Sequence, residues 1–409
     1  MVRWYRRNRE RTASLFALVR DEAFHDRPIP LRHPVAFYEG HIPAFGFLTL
    51  NERGLGEAPI DANLERLFER GIDPASLDEA KRHDREDWPD RRIVGAFAAA
   101  CDERIVRALE SAKIDDPHVP RLVRGQAAYT VLEHEAMHQE TLLYIVHQLP
   151  YDRKRGPAGP NADHAIAPAE ACGVAAGIAT LGADPDEIPF GWDNEFPRTE
   201  VSVPGFAIGA YPVTNGEWLA FVAAGGPAPF FWRRGDGEWR LRLQFEEIAL
   251  PHSWPVFVTH EQAEAYARWA GMRLPTEAEY HRAAFGTPAG GERPFPWGGE
   301  QPGDRHGNFD MRRFDPEPVD AHPDGASAWG VHDLIGNGWE WTSTPFGPLP
   351  GFSPMASYPQ YSADFFDGKH YVMKGASPVT PRELIRRSFR NWFYDDYPYA
   401  YAKFRCVAA

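Results

Sequence analysis

Glu133-His134-Glu135-Ala136-Met137-His138-Gln139-Glu140-Thr141 is the stretch on which the reading of this chain turns. His134 and His138 are four residues apart, so on an α-helix their side chains stand one turn apart on one face and can close on a single metal ion. From Gln126 to Gln148 there is no Gly or Pro, and Val131, Leu142 and Ile145 continue the stripe at three- and four-residue steps. That pattern predicts a helix with both imidazoles turned inward. A lone histidine on an apolar stripe is most often a hydrogen-bonded core residue; two at ligand spacing, bracketed by Glu135 and Glu140, point to a metal. His134 to His138 also fits HExxH, the zinc-hydrolase helix whose Glu is the general base, a reading that needs a third ligand downstream.

Outward from that helix, the front of the chain is rich in helix formers. Leu15, Phe16, Leu18 and Val19 recur at helical spacing and predict a helix within Arg11 to Phe24. After Pro34, the residues Phe37, Tyr38, His41, Phe45 and Leu48 share a face, which puts His41 on an inward stripe despite the kink expected at Pro43. The run Lys81-Arg82-His83-Asp84-Arg85-Glu86-Asp87 reads as a solvated loop. A third helix is expected from Arg92 to Ala112, with Ile93, Phe97, Cys101, Ile105 and Leu109 as its stripe. Four helices with loops of mixed length predict an antiparallel bundle, and bundles set metal ligands on facing helices. His41, His134 and His138 would then give three neutral nitrogens, a set that suits iron, zinc and copper alike.

The rest of the chain has a different character. The whole chain holds 409 residues, enough for two or three domains, and most of its 13 Trp and 36 Gly fall in the second half, with its 38 Pro spread along the chain. Asp152 to Asn161 has no periodicity and reads as a linker. Short strands are expected at Gly177 to Gly182 and Glu200 to Phe206, short helices at Asn215 to Ala223 and Glu261 to Ala270, and mostly loops elsewhere. A net charge of -14 argues against nucleic-acid and acidic-membrane partners. Three scattered cysteines, Cys101, Cys172 and Cys406, make no disulfide framework and favour a reducing compartment. Without an apolar run of membrane length, the expectation is a soluble cytoplasmic protein.

Four landmarks then follow in order: Phe206 to Asn215 (FAIGAYPVTN), Ala263 to Gly271 (AEAYARWAG), Arg273 to Tyr280 (RLPTEAEY) and Gly336 to Thr342 (GNGWEWT). They resemble those of the formylglycine-generating-enzyme-like fold, a loop-rich C-type-lectin-like scaffold, over Ala169 to Ala409. The catalytic cysteine pair of the copper enzymes that name that fold has no counterpart. The front, with Phe37-Tyr38-Glu39-Gly40-His41-Ile42 and the HEAMHQE helix, resembles the DinB-like bundle that precedes this scaffold in the non-haem iron sulfoxide synthases of ergothioneine and ovothiol biosynthesis. The expected architecture is α+β: a DinB-like four-helix bundle over 1–153, a linker over 154–168 and a formylglycine-generating-enzyme-like domain over 169–409.

The resemblance implies iron(II) held by His41, His134 and His138, with Glu135 in a supporting role. It implies small-molecule substrates only: a histidine derivative, a thiol and O2. The family's Tyr-x-x-Tyr-Ser segment is matched by Tyr358-Pro359-Gln360-Tyr361-Ser362, which makes Tyr358 the expected proton donor and Tyr361 the second candidate; a phenol stays protonated at neutral pH. Arg387-Ser388-Phe389-Arg390-Asn391-Trp392-Phe393 resembles the segment that holds the amino-acid end of the substrate, which implies contacts from Asn391 and Trp392 with Arg390 and Phe393 beside them, and the Trp392 face suits a trimethylammonium group. One branch carries an Asp after the Asn-Trp pair and an Arg shortly beyond, which grip γ-glutamylcysteine; here Phe393 and Tyr394-Asp395-Asp396-Tyr397 stand instead. The expected activity is therefore carbon–sulfur bond formation on hercynine, the trimethylated histidine. Open alternatives are an ovothiol-type synthase acting on histidine, a selenoneine-type synthase with a selenium donor, a non-catalytic ligand-binding module and an HExxH zinc hydrolase.

Overall fold

The computed structural model describes residues 1–69, 88–159, 162–166 and 170–409; the Lys81 to Asp87 run lies outside them. The chain forms two compact units. One is Met1–Pro157 together with Met355–Pro359, the other Ala158–Pro354 together with Gln360–Ala409.

The first unit is helical: α1 (Val2–Phe16), α2 (Val35–Gly46), the short α3 (Ala62–Phe68), α4 (Arg91–Ser111) and α5 (Gln126–Gln148). α2 packs on α4 and α5, and α1 on α5 and α4, which makes the expected bundle. α5 has the bounds its periodicity predicted. α1 does not, for it begins well before Arg11 and stops at Phe16. Its inward face is largely polar, so apolar spacing could not reveal it: Tyr5 donates to Asp102 at 2.6 Å, Asn8 donates to the Leu132 carbonyl at 2.8 Å, and Gln139 donates to the Asn8 carbonyl at 3.1 Å. Ile93, expected on the α4 stripe, is half-exposed in the first turn, and the buried stripe starts at Val94 and Phe97. α2 runs through Pro43 and widens into a π turn over Phe47–Glu52. Gly40 is required where it stands, because a Cβ there would lie 2.4 Å from the ring of Phe68 at the end of α3.

The second unit holds two four-stranded sheets. β1 (Cys172–Val174), β4 (Phe206–Ile208), β13 (Val407–Ala408) and β8 (Met272–Arg273) form one; β11 (Asn391–Tyr394), β10 (His370–Ala376), β9 (Gly338–Pro345) and β12 (Ala402–Lys403) form the other. A hairpin of β2 (Gly177–Leu181) with β3 (Thr199–Val203) and a three-stranded β5 (Trp232–Gly235), β6 (Glu238–Arg242), β7 (Glu247–Ala249) meander complete it. β11 pairs antiparallel with β10, with Trp392 opposite Val372 and Asn391 opposite Met373. The helices α6 (Asn215–Ala223), α7 (His260–Trp269) and α8 (Glu277–Phe285) each open on a capping box, set by Thr214 with Glu217, Thr259 with Gln262 and Thr276 with Glu279. α8 and most of the strands fall where loops were expected, since elements this short carry little periodicity. Trp192, Trp218, Trp254, Trp339 and Trp341 are fully buried and fill the core between them.

The stretch read as a linker is pinned by its own contacts. Lys154 is buried, and its ammonium donates to the Val146 and His147 carbonyls at 3.0 and 2.8 Å, satisfying the end of α5. Further on, Asp163 accepts from the Ser253 hydroxyl at 2.6 Å within the second unit.

Candidate metal centre

α2 carries His41 and α5 carries His134 and His138; all three are buried, and one ligand atom from each lies within 4.8 Å of the others. Hydrogen bonding decides which nitrogens face inward. Nδ1 of His41 lies 2.7 Å from the Phe68 carbonyl, and Nδ1 of His138 lies 3.0 Å from the His134 carbonyl. A carbonyl can only accept, so each Nδ1 bears the proton and each Nε2 keeps its lone pair. Both Nε2 atoms are buried without a hydrogen-bond partner. Burial holds the His41 imidazolium down to about 4, and it drives His134 and His138 well below the ordinary histidine value, helped by the neighbouring imidazoles. Three neutral nitrogens with two orphaned lone pairs fit a transition-metal ion and leave the identity of the metal to other arguments.

Aromatic rings wall the group. Phe45 stacks on His134 with ring centroids 3.5 Å apart, and Phe37 stacks on His41 at 4.8 Å. Tyr358 belongs to the same unit, its ring 5.2 Å from Phe45 and 6.4 Å from His134. Glu135 is held elsewhere: its carboxylate accepts from Thr12 at 2.7 Å and from Arg9 at 2.9 Å on α1. An HExxH hydrolase needs that carboxylate beside the metal-bound water. The third histidine comes from α2, upstream, and not from the downstream position such a hydrolase uses.

The remaining expected site residues lie in the second unit. Trp392 stacks on Phe346 at 4.2 Å and meets Tyr361 edge-on at 5.2 Å, while Tyr361 stacks on Trp192 at 3.9 Å. Asn391 Oδ1 accepts the Trp392 backbone N–H at 2.9 Å. Arg390 is buried beneath this strand, donating to both oxygens of Glu277 at 2.9 and 3.0 Å and to the Asn194 and Gly347 carbonyls. Phe393 stacks on Tyr397 at 4.7 Å. Sequence reasoning passed over Phe346 and Trp192, which touch Trp392 and Tyr361 only through long-range folding. It also passed over Gln126 and Thr130, although they continue the four-residue stripe of His134 and His138. The cysteines offer no ready thiolate: burial raises Cys101, Cys172 and Cys406, the last to about 12.

Residues 159–409 match the sulfatase-modifying factor enzyme 1-like domain family and residues 5–142 the DinB superfamily. The chain is 36% identical over 428 residues to a hercynine oxygenase of Mycolicibacterium smegmatis, covering 94% of this chain and 92% of that one. It is 43% identical to the hercynine oxygenase of Mycobacterium tuberculosis over an alignment spanning 54% of this chain and 55% of the relative. It is 28% identical to ergothioneine biosynthesis protein 1 of Neurospora crassa over 93% of this chain, which spans about half the length of that relative (54%). The chain thus belongs to the hercynine oxygenase family, an enzyme family that joins a DinB-type helical part to a sulfatase-modifying-factor-like part. Among the described residues no helix is long and apolar enough to cross a membrane.

Proposed function

We propose that this protein is an iron(II)- and oxygen-dependent sulfoxide synthase that joins the imidazole carbon of hercynine to the sulfur of a thiol, in ergothioneine biosynthesis. The observation that carries the reading is the buried group His41, His134 and His138, with unpaired Nε2 atoms, in a chain that aligns along nearly its whole length with a hercynine oxygenase. The reaction balances with one O2: the ring C–H and thiol S–H hydrogens leave as water, and the second oxygen atom remains on sulfur. Iron, when bound to the three imidazoles, supplies the oxygen chemistry and open positions for substrates.

The chain's own residues supply the rest. Phe37 and Phe45 keep water from the histidines, so the electrostatic effect of each polar group there is enlarged. Tyr358 donates a proton from its hydroxyl, with Tyr361 the second candidate. In the other unit, Trp392 offers a ring face to a trimethylammonium group and Asn391 binds the amino-acid end. Arg390, bound to Glu277, holds that strand in place as a positioning residue. Phe393, stacked on Tyr397, stands where one branch carries the Asp that helps grip γ-glutamylcysteine, and Tyr394-Asp395-Asp396-Tyr397 supplies no Arg in place of that branch's second contact, which supports cysteine or a small selenium donor over γ-glutamylcysteine.

The experiment is anaerobic reconstitution with iron(II), then oxygen exposure with hercynine or histidine, each paired with cysteine, γ-glutamylcysteine or a selenosugar, read by mass spectrometry. A sulfoxide from hercynine and cysteine is the expected product. Product from histidine alone would move the assignment to the ovothiol type, and a selenium adduct would move it to the selenoneine type. Stoichiometric iron with no product from any pair would refute the synthase reading.

A further inference from the structure

One face of α5 has two tasks. Gln126, Thr130, His134 and His138 follow one another at four-residue steps, so the stripe that ends in two histidines begins with two polar side chains. Both reach one residue outside the helix. Gln126 Oε1 accepts the Ser357 backbone N–H at 2.9 Å, and the Thr130 and Ser357 hydroxyls share a hydrogen bond of 2.8 Å. Thr130 is fully buried and Ser357 nearly so, and a buried hydroxyl that loses its partner cannot turn to water instead. A threonine within a helix ordinarily bonds back to the carbonyl four residues earlier, as Thr141 does to Met137 at 3.4 Å. Thr130 is bonded across to Ser357.

The next residue in the chain is Tyr358, whose ring meets Phe45 and, beyond it, His134. Met355–Pro359 groups with the helical unit, although the chain on either side groups with the other. A five-residue excursion has little secondary structure to fix it, so its placement depends on side-chain contacts, the bonds from Ser357 to α5 among them.

We propose that Gln126 and Thr130 are positioning residues that clamp Ser357 and so fix the Tyr358 hydroxyl beside the histidine group; this rests on the reading of Tyr358 as proton donor. Proton delivery is steep in distance, and a misplacement of about 1 Å can lower turnover about 100-fold.

Thr130→Val removes the hydroxyl and keeps the shape of the side chain. We expect kcat for carbon–sulfur product to fall roughly 10- to 100-fold, with KM for both substrates and iron content unchanged, and Thr130→Ser to restore it. Ser357→Ala should lower kcat similarly, and the Thr130→Val/Ser357→Ala double variant should be no slower than the slower single variant. In metal-free protein with fluorotyrosine at position 358, the fluorine NMR signal should be one line in the parent and in Thr130→Ser, and broadened or split in Thr130→Val. Parent-like kcat and an unchanged line in Thr130→Val would overturn the clamp. So would a loss of iron and melting temperature in step with kcat, which marks a merely structural threonine. Tyr358→Phe separates the two readings: an active Tyr358→Phe removes the donor assignment itself, whereas an inactive one beside a normal Thr130→Val removes only the clamp.

Discussion

Two buried clusters, one in each unit, treat their polar groups in opposite ways. In the second unit buried charges meet their complements: Arg390 grips Glu277 through two hydrogen bonds, Arg405 pairs with Glu340 at 2.9 Å, and Arg386 and Ser388 both donate to Glu195 at 2.8 and 2.7 Å. In the first unit three imidazoles lie together, neutral, with two ring nitrogens facing no hydrogen-bond partner. A buried polar atom that the fold satisfies belongs to the fold. One that the fold leaves unsatisfied costs stability, and two such nitrogens within one cluster of neutral imidazoles fit a metal ion. Both units bury polar side chains and both leave some ring or amide atoms unpaired; what sets the first apart is that two such nitrogens stand in one cluster of three imidazoles.

The comparison is tested most severely by breaking a satisfied pair. Arg390→Ala leaves the Glu277 carboxylate buried without its main partner and should destabilise the protein by about 3–5 kcal/mol in urea unfolding followed by Trp fluorescence. The histidine group should respond the other way round. His138→Leu removes the partnerless Nε2 together with the Nδ1 hydrogen bond to the His134 carbonyl, two opposing effects of similar size, so metal-free stability should stay within about 1 kcal/mol in thermal melts. Iron binding in the same variant should weaken by more than about 100-fold, roughly 2.7 kcal/mol, in metal titrations.

Acid sharpens the contrast further. Glu195 and Glu277 are both held below the ordinary carboxylate value against the effect of their burial, Glu195 chiefly by Arg386 and Glu277 by Arg390 and then Lys374. A carboxyl with a lower pKa folded than unfolded contributes its stability in full above the unfolded value, about 4.3, and loses it as pH falls through the folded value. This contribution should therefore be flat above about pH 5.5 and decline below about pH 4. Glu277→Gln should flatten the decline in urea midpoints measured across that range. The smallest effect is expected at Glu135, which α1 holds. Glu135→Gln should keep carbon–sulfur product formation within about tenfold of the parent, whereas removing a general base would lower it by about 10²–10⁴-fold.

Much of the histidine group was legible in the sequence because its determinants are local. Helical periodicity fixes the direction of a side chain within a few residues, so the spacing of His134 and His138 and the stripe through Phe37, His41 and Phe45 were enough to turn three imidazoles inward. The helix over Gln126–Gln148 and the one over Asn215–Ala223 have the bounds their sequences predicted. α1 was misplaced because its buried face is polar, and α8 was missed because nine residues give periodicity little room.

What the tertiary structure alone decided is which distant residues meet. No local pattern pairs Glu277 with Arg390, or brings Phe346 onto Trp392 and Trp192 onto Tyr361. The sequence marked Tyr358 as a candidate by resemblance, but only the fold set it with the helices, through Ser357 bonded to Gln126 and Thr130 more than two hundred residues earlier. The direction of Glu135, and with it the choice against an HExxH hydrolase, was equally invisible, because the direction depends on Thr12 and Arg9 of another helix. Spacing along one helix is set by the geometry of the backbone. Contacts between elements are set by packing, which sums interactions over the whole chain.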